Sequence, residues 1–204
     1  MVAPDTRVLA PGDPVDPDGW HLRSATLADV DGVHRLACEP LVYRYLFDGT
    51  APERDSIAAE IARAIADAAR TRLGLWILQC PRAPYGGCVQ LRPDLSAKSA
   101  ELIYFLDPAH WGRGLATRMG WTAISRAFQG PFDVVVAGTD GANAASLAVM
   151  RRLGMRFYRA VRYPLGEGFE YTLARGDAAP KSQPALLAIR REDPPAPAPR
   201  RSRS

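Results

Sequence analysis

The chain has 204 residues, of which 47% are hydrophobic and 24% are charged, the composition of an ordinary globular protein of one domain. The formal net charge of +4 is concentrated near the carboxyl terminus, because residues 176–204 contain six basic and three acidic side chains and so contribute +3. The remaining +1 gives the folded part no basic surface for nucleic acid, which is therefore not expected as a partner.

Both ends of the chain are rich in proline. Ten of the 18 prolines lie in residues 1–18 and 176–204, where few large apolar side chains are available for packing. Such segments bury too little surface to offset the entropy lost by ordering the chain. We therefore expect disorder in both segments and a single folded domain over residues 19–175.

The first half of this domain alternates between short apolar runs and amphipathic segments. Residues 20–24 are predicted as the first strand, and a helix is predicted to begin at Thr26 and to end before Pro40. The capping-box pattern of residues 50–53 marks the start of a second helix. The apolar face of that helix is formed by Ile57, Ile61, Ala64, Ile65 and Ala68.

The second half adds more strands and two further helices. Apolar runs bounded by turn residues predict strands at residues 75–79, 87–91, 100–106, 132–137, 155–163 and 169–174. Helices are predicted after residue 114 and over residues 143–153. The resulting order, β-α-α-β-β-β-α-β-α-β-β, indicates an α/β fold in which about four helices flank a mixed sheet.

The most informative segment is residues 106–117, in which a buried strand, a short turn and two glycines precede a helix. Glycine allows a ligand to approach the backbone closely. The first N–H groups of a helix are unpaired and lie at the positive end of its dipole. This arrangement is typical of a diphosphate-binding site, and Arg113 and Arg118 would add positive charge at its edge.

Three phosphate-binding patterns share that description. A P-loop is excluded because the chain has no Gly-Lys-Ser/Thr triplet. A dinucleotide fingerprint is disfavoured because Thr117 replaces the third glycine and five residues separate Leu106 from Gly112. In addition, Asp133 precedes the next strand, whereas the fingerprint requires an acidic residue at the end of that strand.

The third pattern is an acyl-CoA site. Residues 111–116 resemble the acyl-CoA signature of the GNAT acetyltransferases, with Gly114 and Ala116 in the two small positions and Trp111 where the family usually has Gln or Arg. The longer stretch of residues 104–117 is similar to the subgroup that contains the ribosomal-protein N-terminal acetyltransferases.

Four further segments extend the resemblance along the chain. Asn143-Ala144-Ala145-Ser146 matches the Asn-x-x-Ser of the family, and Arg152-Leu153-Gly154-Met155 is similar to its Lys-Leu-Gly-Phe. Residues 22–23 and 42–46 resemble the opening of the subgroup. The resemblance covers residues 20–174 and predicts a single GNAT-type domain.

The resemblance implies a sheet that splays between the strands at residues 100–106 and 132–137, with acetyl-CoA in the gap as co-substrate. The pantetheine arm would pair with the backbone of Tyr104, Phe105 and Leu106. Asn143 would bind that arm, cap its helix, or do both. The pyrophosphate would bind the N–H groups of Gly112, Arg113, Gly114, Leu115, Ala116 and Thr117.

Attack of an amine on a thioester requires an uncharged amine, so a base is needed near neutral pH. Glu101 is the candidate base, because it lies on the strand beside the predicted gap, where the subgroup often has Glu. The alternative interpretation is a carboxylate on the sheet surface. His110, next to the phosphate loop, is a second candidate base.

The leaving thiolate must be protonated again. Many GNAT enzymes place a tyrosine in the last helix for this purpose, but Met150 stands at that position here. Ser146 is the candidate acid, since it matches the Ser of the subgroup, although a Ser in the first turn of a helix often only caps the backbone. Tyr104 and Tyr158 are further candidate donors.

The predicted function is acetyl-CoA-dependent N-acetylation of a primary amine, in a small molecule or at a protein N-terminus. Two alternatives remain at this stage. One is a catalytically degenerate acyl-CoA-binding domain that acts as a sensor, which the missing helix tyrosine would favour. The other is a nucleic-acid-associated role for the basic tail, which salt-dependent binding to DNA would test.

The remaining expectations concern location and assembly. Cys38, Cys80 and Cys88 form no Cys-x-x-Cys pair, so neither a metal site nor a disulfide framework is predicted. The first 20 residues have neither the charged nor the apolar region of a signal peptide, and no apolar run is long enough for a membrane span. A cytoplasmic monomer or homodimer without a membrane partner is expected.

Overall fold

The computed structural model describes residues 16–177 and 184–190, in which eight strands form one mixed sheet with five α-helices beside it. The strands are β1 (His21–Ser24), β2 (Leu75–Cys80), β3 (Ala83–Asp94), β4 (Ser99–Leu106), β5 (Val134–Asp140), β6 (Arg156–Tyr163), β7 (Gly166–Ala174) and β8 (Ala188–Arg190). The helices are α1 (Val30–Ala37), α2 (Pro40–Leu46), α3 (Arg54–Thr71), α4 (Leu115–Phe128) and α5 (Ala144–Arg152).

The strand order across the sheet is β6-β7-β5-β4-β3-β2-β1-β8. Strands β1 to β4 pair antiparallel in sequence order. Short hairpin connections join β2 to β3 and β3 to β4, whereas α1, α2 and α3 lie between β1 and β2. The chain then crosses through α4 and places β5 parallel to β4. The predicted mixed α/β sheet is confirmed.

The sheet splays in its middle, between β4 and β5. These strands pair only over residues 99–101 of β4 and 134–136 of β5. Beyond that point, β4 stays paired with β3 as far as Leu106, and β5 stays paired with β7 as far as Asp140. The two halves of the sheet therefore separate into a V at the carboxyl ends of β4 and β5, which is the gap expected from the family resemblance.

Helix α4 packs on one face of the sheet through a stripe of small and apolar residues. Met119, Ala123 and Ile124 are fully buried. A Cβ atom at Gly120 would lie 2.9 Å from Leu153 Cδ1, so a larger residue would require the Leu153 side chain to move. The small-residue stripe thereby fixes the position of the amino terminus of α4 at the opening of the V.

Helices α1 and α3 cover the other face. Ile57, Ile61 and Ala64 of α3 pack with Val33 and other apolar residues of α1 in a second buried cluster. The predicted apolar face extends too far in one respect, because Ile65 is exposed. Because Ala64, Asp67 and Thr71 around it are buried, Ile65 lies at the margin of the buried face of α3.

Two elements differ from the sequence prediction. The helix predicted to end before Pro40 ends at Ala37, but Pro40 begins an additional helix, α2. Proline is favourable in this first turn because its missing N–H costs nothing. The second difference is β8, which pairs parallel with β1 and lies inside the segment predicted to be disordered. Leu187 is only 2% exposed, so the apolar run before β8 contributes to the core.

Three parts of the segments expected to be disordered have defined positions, namely residues 16–18, 176–177 and 184–190. Asp16 accepts the backbone N–H groups of Asp18 and Trp20, and Asp177 accepts that of Ala174. The other terminal residues of that expectation, 1–15, 178–183 and 191–204, lie outside the described part of the chain. Within the described part, no helix combines the length and the apolar character needed to cross a bilayer.

Candidate active site

A cavity of about 1460 Å³ extends along the opening between β4 and β5. Its walls come from the carboxyl half of β4, the loop and first turn of α4, the end of β5 and the first turn of α5. Residues between α2 and α3 close its far side. The cavity thus connects the predicted phosphate loop with the predicted catalytic residues.

The phosphate loop is built by two glycines in the left-handed backbone region. Gly112 has φ 75° and Gly114, the N-cap of α4, has φ 72°. A Cβ atom at either position would meet nothing within 4 Å, and both glycines line the cavity. The first N–H groups of α4 are thus presented to open space, which is the arrangement that an anion requires.

Side-chain hydrogen bonds hold this loop in place. Asp107 accepts the backbone N–H of Ala109 at 2.8 Å, which caps the short 3-10 turn before the glycines. The indole Nε1 of Trp111 donates to the carbonyl oxygen of Leu106 at 2.9 Å. Trp111, which replaces the Gln or Arg common in the family, therefore connects the loop to the end of β4.

The two arginines of the loop do not line the cavity. Arg113 forms an ion pair with Asp18 at 2.6 Å. Arg118 forms an ion pair with Asp16 and donates to the carbonyl oxygen of Ala185 at 3.2 Å. Arg113 can therefore contribute its backbone N–H to the loop, while its charge is directed to the amino-terminal segment.

On the β4 side, Tyr104, Phe105 and Leu106 all line the cavity. Their backbone pairs with β3, and the splay leaves the opposite edge of the strand facing the gap. An extended ligand can add to such an edge through backbone hydrogen bonds, as an additional strand does.

The structure brings Asn143, Ser146 and Tyr104 together. Asn143 is the N-cap of α5, and its Oδ1 accepts the backbone N–H of Ser146 at 3.1 Å. The hydroxyl oxygens of Ser146 and Tyr104 lie 2.7 Å apart. Because burial raises the pKa of Tyr104 to about 12, this phenol stays protonated at neutral pH.

Glu101 is the last residue of β4 that pairs with β5, and it lines the cavity where the V opens. Its side chain is 52% exposed and lies 3.4 Å from Arg92, its direct cross-strand neighbour on β3. Arg92 also pairs with Glu60 at 3.2 Å. A half-exposed carboxylate at this position is accessible both to an acceptor in the cavity and to solvent.

The other two candidates for proton transfer have different positions. His110 lines the cavity beside the phosphate loop, and its ring packs edge-on against Trp20 with 4.8 Å between the ring centroids. Tyr158 is 59% exposed on β6 and does not line the cavity. Of the predicted donors, the structure thus places Ser146 and Tyr104 in the site and leaves Tyr158 outside it.

A family model described as an acetyltransferase (GNAT) domain matches residues 20–156. The chain belongs to the GNAT acetyltransferase family. It is therefore an acyltransferase with acetyl-CoA as its co-substrate, and the glycine loop and the splayed strands are the corresponding parts of this GNAT domain.

Solved structures with the same fold include several acetyltransferases. A ribosomal L7/L12 alpha-N-protein acetyltransferase in complex with coenzyme A is 18% identical, with a TM-score of 0.68 over 80% of this chain and 98% of that chain. A spermidine N-acetyltransferase from Vibrio cholerae, in complex with CoA and spermine, is 16% identical, with a TM-score of 0.65 over 76% of this chain and 95% of that one. At these identities, the likeness establishes the fold.

Two features of the GNAT cavity were not predicted. One is the contact between Tyr104 and Ser146, which are 42 residues apart in the chain. The other is Asp140, which with Asp48 lines the end of the cavity formed by β5 and the α2–α3 loop. In residues 16–177 and 184–190, no group of three His, Cys, Asp or Glu side chains is placed to hold a metal ion.

Proposed function

We propose that this GNAT protein transfers the acetyl group of acetyl-CoA to a primary amine, in a small molecule or at a protein N-terminus, by direct attack within a ternary complex. The observation that carries the proposal is the continuity of the cavity. It joins the glycine loop, the free edge of β4, the carboxylate of Glu101 and the hydroxyl pair of Ser146 and Tyr104.

Acetyl-CoA binds along the gap in this proposal. Its pyrophosphate contacts the N–H groups of residues 112–117, and its pantetheine arm pairs with the backbone of residues 104–106. The side chain of Asn143 already accepts the N–H of Ser146 through Oδ1, so its amide nitrogen is the group that can donate to the arm. Asn143 then serves as helix cap and ligand contact together.

Two protons must leave the acceptor during the reaction. An alkylammonium group has a pKa near 10.4, so it enters the site protonated at neutral pH. Glu101 takes the first proton, directly or through a water molecule, and passes it to solvent. Attack on the thioester carbonyl then forms the amide bond and breaks the carbon–sulfur bond, and the second proton of the nitrogen neutralises the thiolate.

The hydroxyl pair stabilises the departing sulfur. A phenol with a pKa of about 12 is too weak an acid to protonate a thiolate, whose conjugate thiol has a pKa near 8.5. Tyr104 therefore donates a hydrogen bond to Ser146 Oγ, and the hydroxyl of Ser146 donates to the developing negative charge on sulfur. Ser146 is the contact with the substrate, and Tyr104 positions it.

The hydroxyl contact between Tyr104 and Ser146 argues against the sensor alternative, which rests on the presence of Met150 where many family members have a tyrosine. Met150 is buried with 1% exposure, and a different tyrosine, Tyr104, brings its hydroxyl to the first turn of α5. The site therefore retains a hydroxyl donor, and we favour an active transferase.

The test substitutes two glycines that have positive φ, 72° at Gly114 and 112° at Gly176, so the control carries at least as much backbone strain. Gly114→Val fills the loop, whereas Gly176→Val alters another left-handed glycine with nothing within 4 Å of its Cβ position, outside the cavity. Acetyl-CoA at about 100 times its Kd should stabilise the wild-type protein by about 2.7 kcal/mol. Gly176→Val should keep that stabilisation and the amine-dependent release of thiol, and Gly114→Val should lose both.

Unchanged binding of acetyl-CoA by folded Gly114→Val would show that the loop does not hold the pyrophosphate. Loss of binding in both variants would attribute the effect to backbone strain, and the proposed cradle would lose its support.

A further inference from the structure

The end of β5 places an unpaired carboxylate in the wall of the cavity. Asp140 is the last residue of β5, lines the cavity and is only 7% exposed. Its backbone is fixed, because it pairs with Gly168 of β7 and its carbonyl oxygen accepts the N–H of Asn143 at 3.0 Å. The side chain Oδ1 is buried and has no hydrogen-bond partner among the described residues.

The acids of the cavity fall into two groups. Glu60 and Glu101 both pair with Arg92. Asp48 and Asp140 form no ion pair within residues 16–177 and 184–190. The negative charge of Asp48 acts on Asp140, whose pKa is raised by burial and by this neighbour. One end of the cavity therefore carries two carboxylates that the described part of the protein does not neutralise.

An unpaired buried carboxylate is costly, and a cation bound in the cavity would remove that cost. The reacting nitrogen of the acceptor is not the cation required, because it must be uncharged when it attacks the thioester. Glu101 already accounts for its deprotonation. A second pair of carboxylates is suited to a nitrogen that remains protonated throughout the reaction.

We propose that Asp140, together with Asp48, forms a subsite that binds a second ammonium group of the acceptor, and that the preferred acceptor is a small diamine or polyamine. This inference rests on the proposed acetyl transfer and specifies its substrate class. A protein N-terminus brings one ammonium group to the site, which is the group that reacts. It would leave Asp140 without a partner.

Aromatic side chains line the same end of the cavity. The hydroxyl of Tyr45 lies 3.5 Å from the carbonyl oxygen of Ala142, and Tyr163 packs across the backbone of Gly138, two residues before Asp140. The guanidinium group of Arg44 stacks on the ring of Tyr45, 5.1 Å from its centroid. These apolar ring faces suit the methylene chain that separates two amines.

The experiment compares two acceptors that differ by one charged group, 1,5-diaminopentane and pentylamine. Hydrogen bonds to charged groups contribute roughly 1.5–3 kcal/mol, which corresponds to about 10- to 100-fold in kcat/KM. Wild-type protein should prefer the diamine by that factor. Asp140→Asn, which keeps the shape and removes the charge, should abolish most of the preference through an increase in KM for the diamine.

Two controls accompany that variant. Turnover of pentylamine by Asp140→Asn should equal that of the wild type, which shows that the site is intact. Asp133→Asn removes the same charge just before the start of β5, at an exposed position outside the cavity, and should keep the preference for the diamine. Asp48→Asn should lower the preference by a smaller factor than Asp140→Asn.

Three results separate this inference from the proposed function. Equal kcat/KM for the two amines in the wild type, or an equal loss for both in Asp140→Asn, would overturn the subsite and leave acetyl transfer standing. A higher kcat/KM for a free peptide N-terminus than for the diamine would also overturn the subsite and leave acetyl transfer standing. If the wild type acetylates none of the three acceptors, the proposed function itself fails.

Discussion

Two aspartates of this GNAT domain are similarly buried, and their surroundings are opposite. Asp29 is 3% exposed, and Asp140 is 7% exposed. Asp29 lies where α1 begins, beside β1, in the part of the sheet that is continuously paired. Asp140 lies at the end of β5, where the sheet has opened. The comparison separates a carboxylate that holds the fold together from one directed to a ligand.

Both carboxylate oxygens of Asp29 have hydrogen-bond partners. Arg23 binds both of its oxygens, at 2.6 and 2.8 Å. The backbone N–H of Thr26 and the hydroxyl of Tyr85 add hydrogen bonds at 2.8 and 3.0 Å. Burial alone would raise the pKa of Asp29, but the hydrogen bonds and charge of Arg23 outweigh it and lower the pKa to about 2.

At Asp140 the cost of burial is offset only by a hydrogen bond from its own backbone, and Oδ1 has no partner among the described residues. A fold tolerates such a group where function requires it, because a ligand can supply the missing partner. The comparison therefore predicts that changes near Asp29 alter stability with little effect on turnover. Changes around the V should alter turnover with little effect on stability.

The largest expected effect is on stability at Asp29. Asp29→Ala removes the ion pair of the buried Arg23 guanidinium, which keeps its hydrogen bond to Gln79. This loss should lower the free energy of unfolding by about 3–5 kcal/mol. Asp140→Ala, the matched control in the splayed region, should leave the free energy of unfolding unchanged or increase it. Urea unfolding of the two variants measures both values. Equal losses would end the distinction between the two aspartates.

The next effect is on turnover at Glu101. Glu101→Gln should lower kcat by roughly 10²-fold, the usual scale for loss of a general base. The loss should shrink between pH 6 and pH 9 as uncharged amine becomes more abundant, while the affinity for acetyl-CoA stays constant. A variant as active as the wild type across this range would make Glu101 a surface carboxylate and His110, on the cavity wall, the next base to test.

A smaller effect is expected at the hydroxyl pair. Ser146→Ala should lower kcat about tenfold, since water can partly replace a hydroxyl donor. Because Asn143 and not Ser146 caps α5, this substitution should cost little stability. Tyr104→Phe should act through the same contact, so the double variant should be no slower than Ser146→Ala. If the reduction in kcat of the double variant equals the product of the reductions in the two single variants, Tyr104 does not act through Ser146.

The smallest effect is the pH dependence of stability, in which the two aspartates should have opposite signs. The lowered pKa of Asp29 adds stability above the unfolded pKa near 4, and that stability is lost as the pH falls towards 2. The raised pKa of Asp140 means that its charge destabilises the fold at neutral pH, and that this penalty is relieved on acidification.

Thermal unfolding at several pH values measures the difference. Asp140→Asn should have a higher Tm than the wild type at neutral pH. The Tm values of the two proteins should become equal at acidic pH. A wild-type Tm above that of Asp140→Asn at neutral pH would mean that Asp140 has a stabilising partner in the free protein.

Local patterns in the sequence were sufficient for much of the fold. Apolar runs between turn residues predict the seven strands from β1 to β7. All of these strands except β6 bury side chains in the core. The glycines at residues 112 and 114 predict the phosphate loop, since a left-handed backbone strongly favours glycine. The splay itself was expected from the family resemblance, not from periodicity.

The missed features depend on context that local patterns do not contain. Proline is equally suited to follow one helix or to begin the next, so the position of Pro40 does not indicate that α2 begins there. The apolar run before β8 lies among prolines, and its pairing with β1 joins residues at opposite ends of the chain. The lack of a partner at Asp140 is a property of the folded surroundings, and no residue pattern indicates it.

The most direct test of the account is the stoichiometry of the reaction in wild-type protein. Incubation with acetyl-CoA and 1,5-diaminopentane should release one free CoA thiol for each N-acetylated amine, detected by mass spectrometry, and no thiol without an acceptor. Tight binding of acetyl-CoA without acetylation of this diamine, of pentylamine or of a peptide N-terminus would contradict the account, because the cavity would then bind the thioester without performing the transfer.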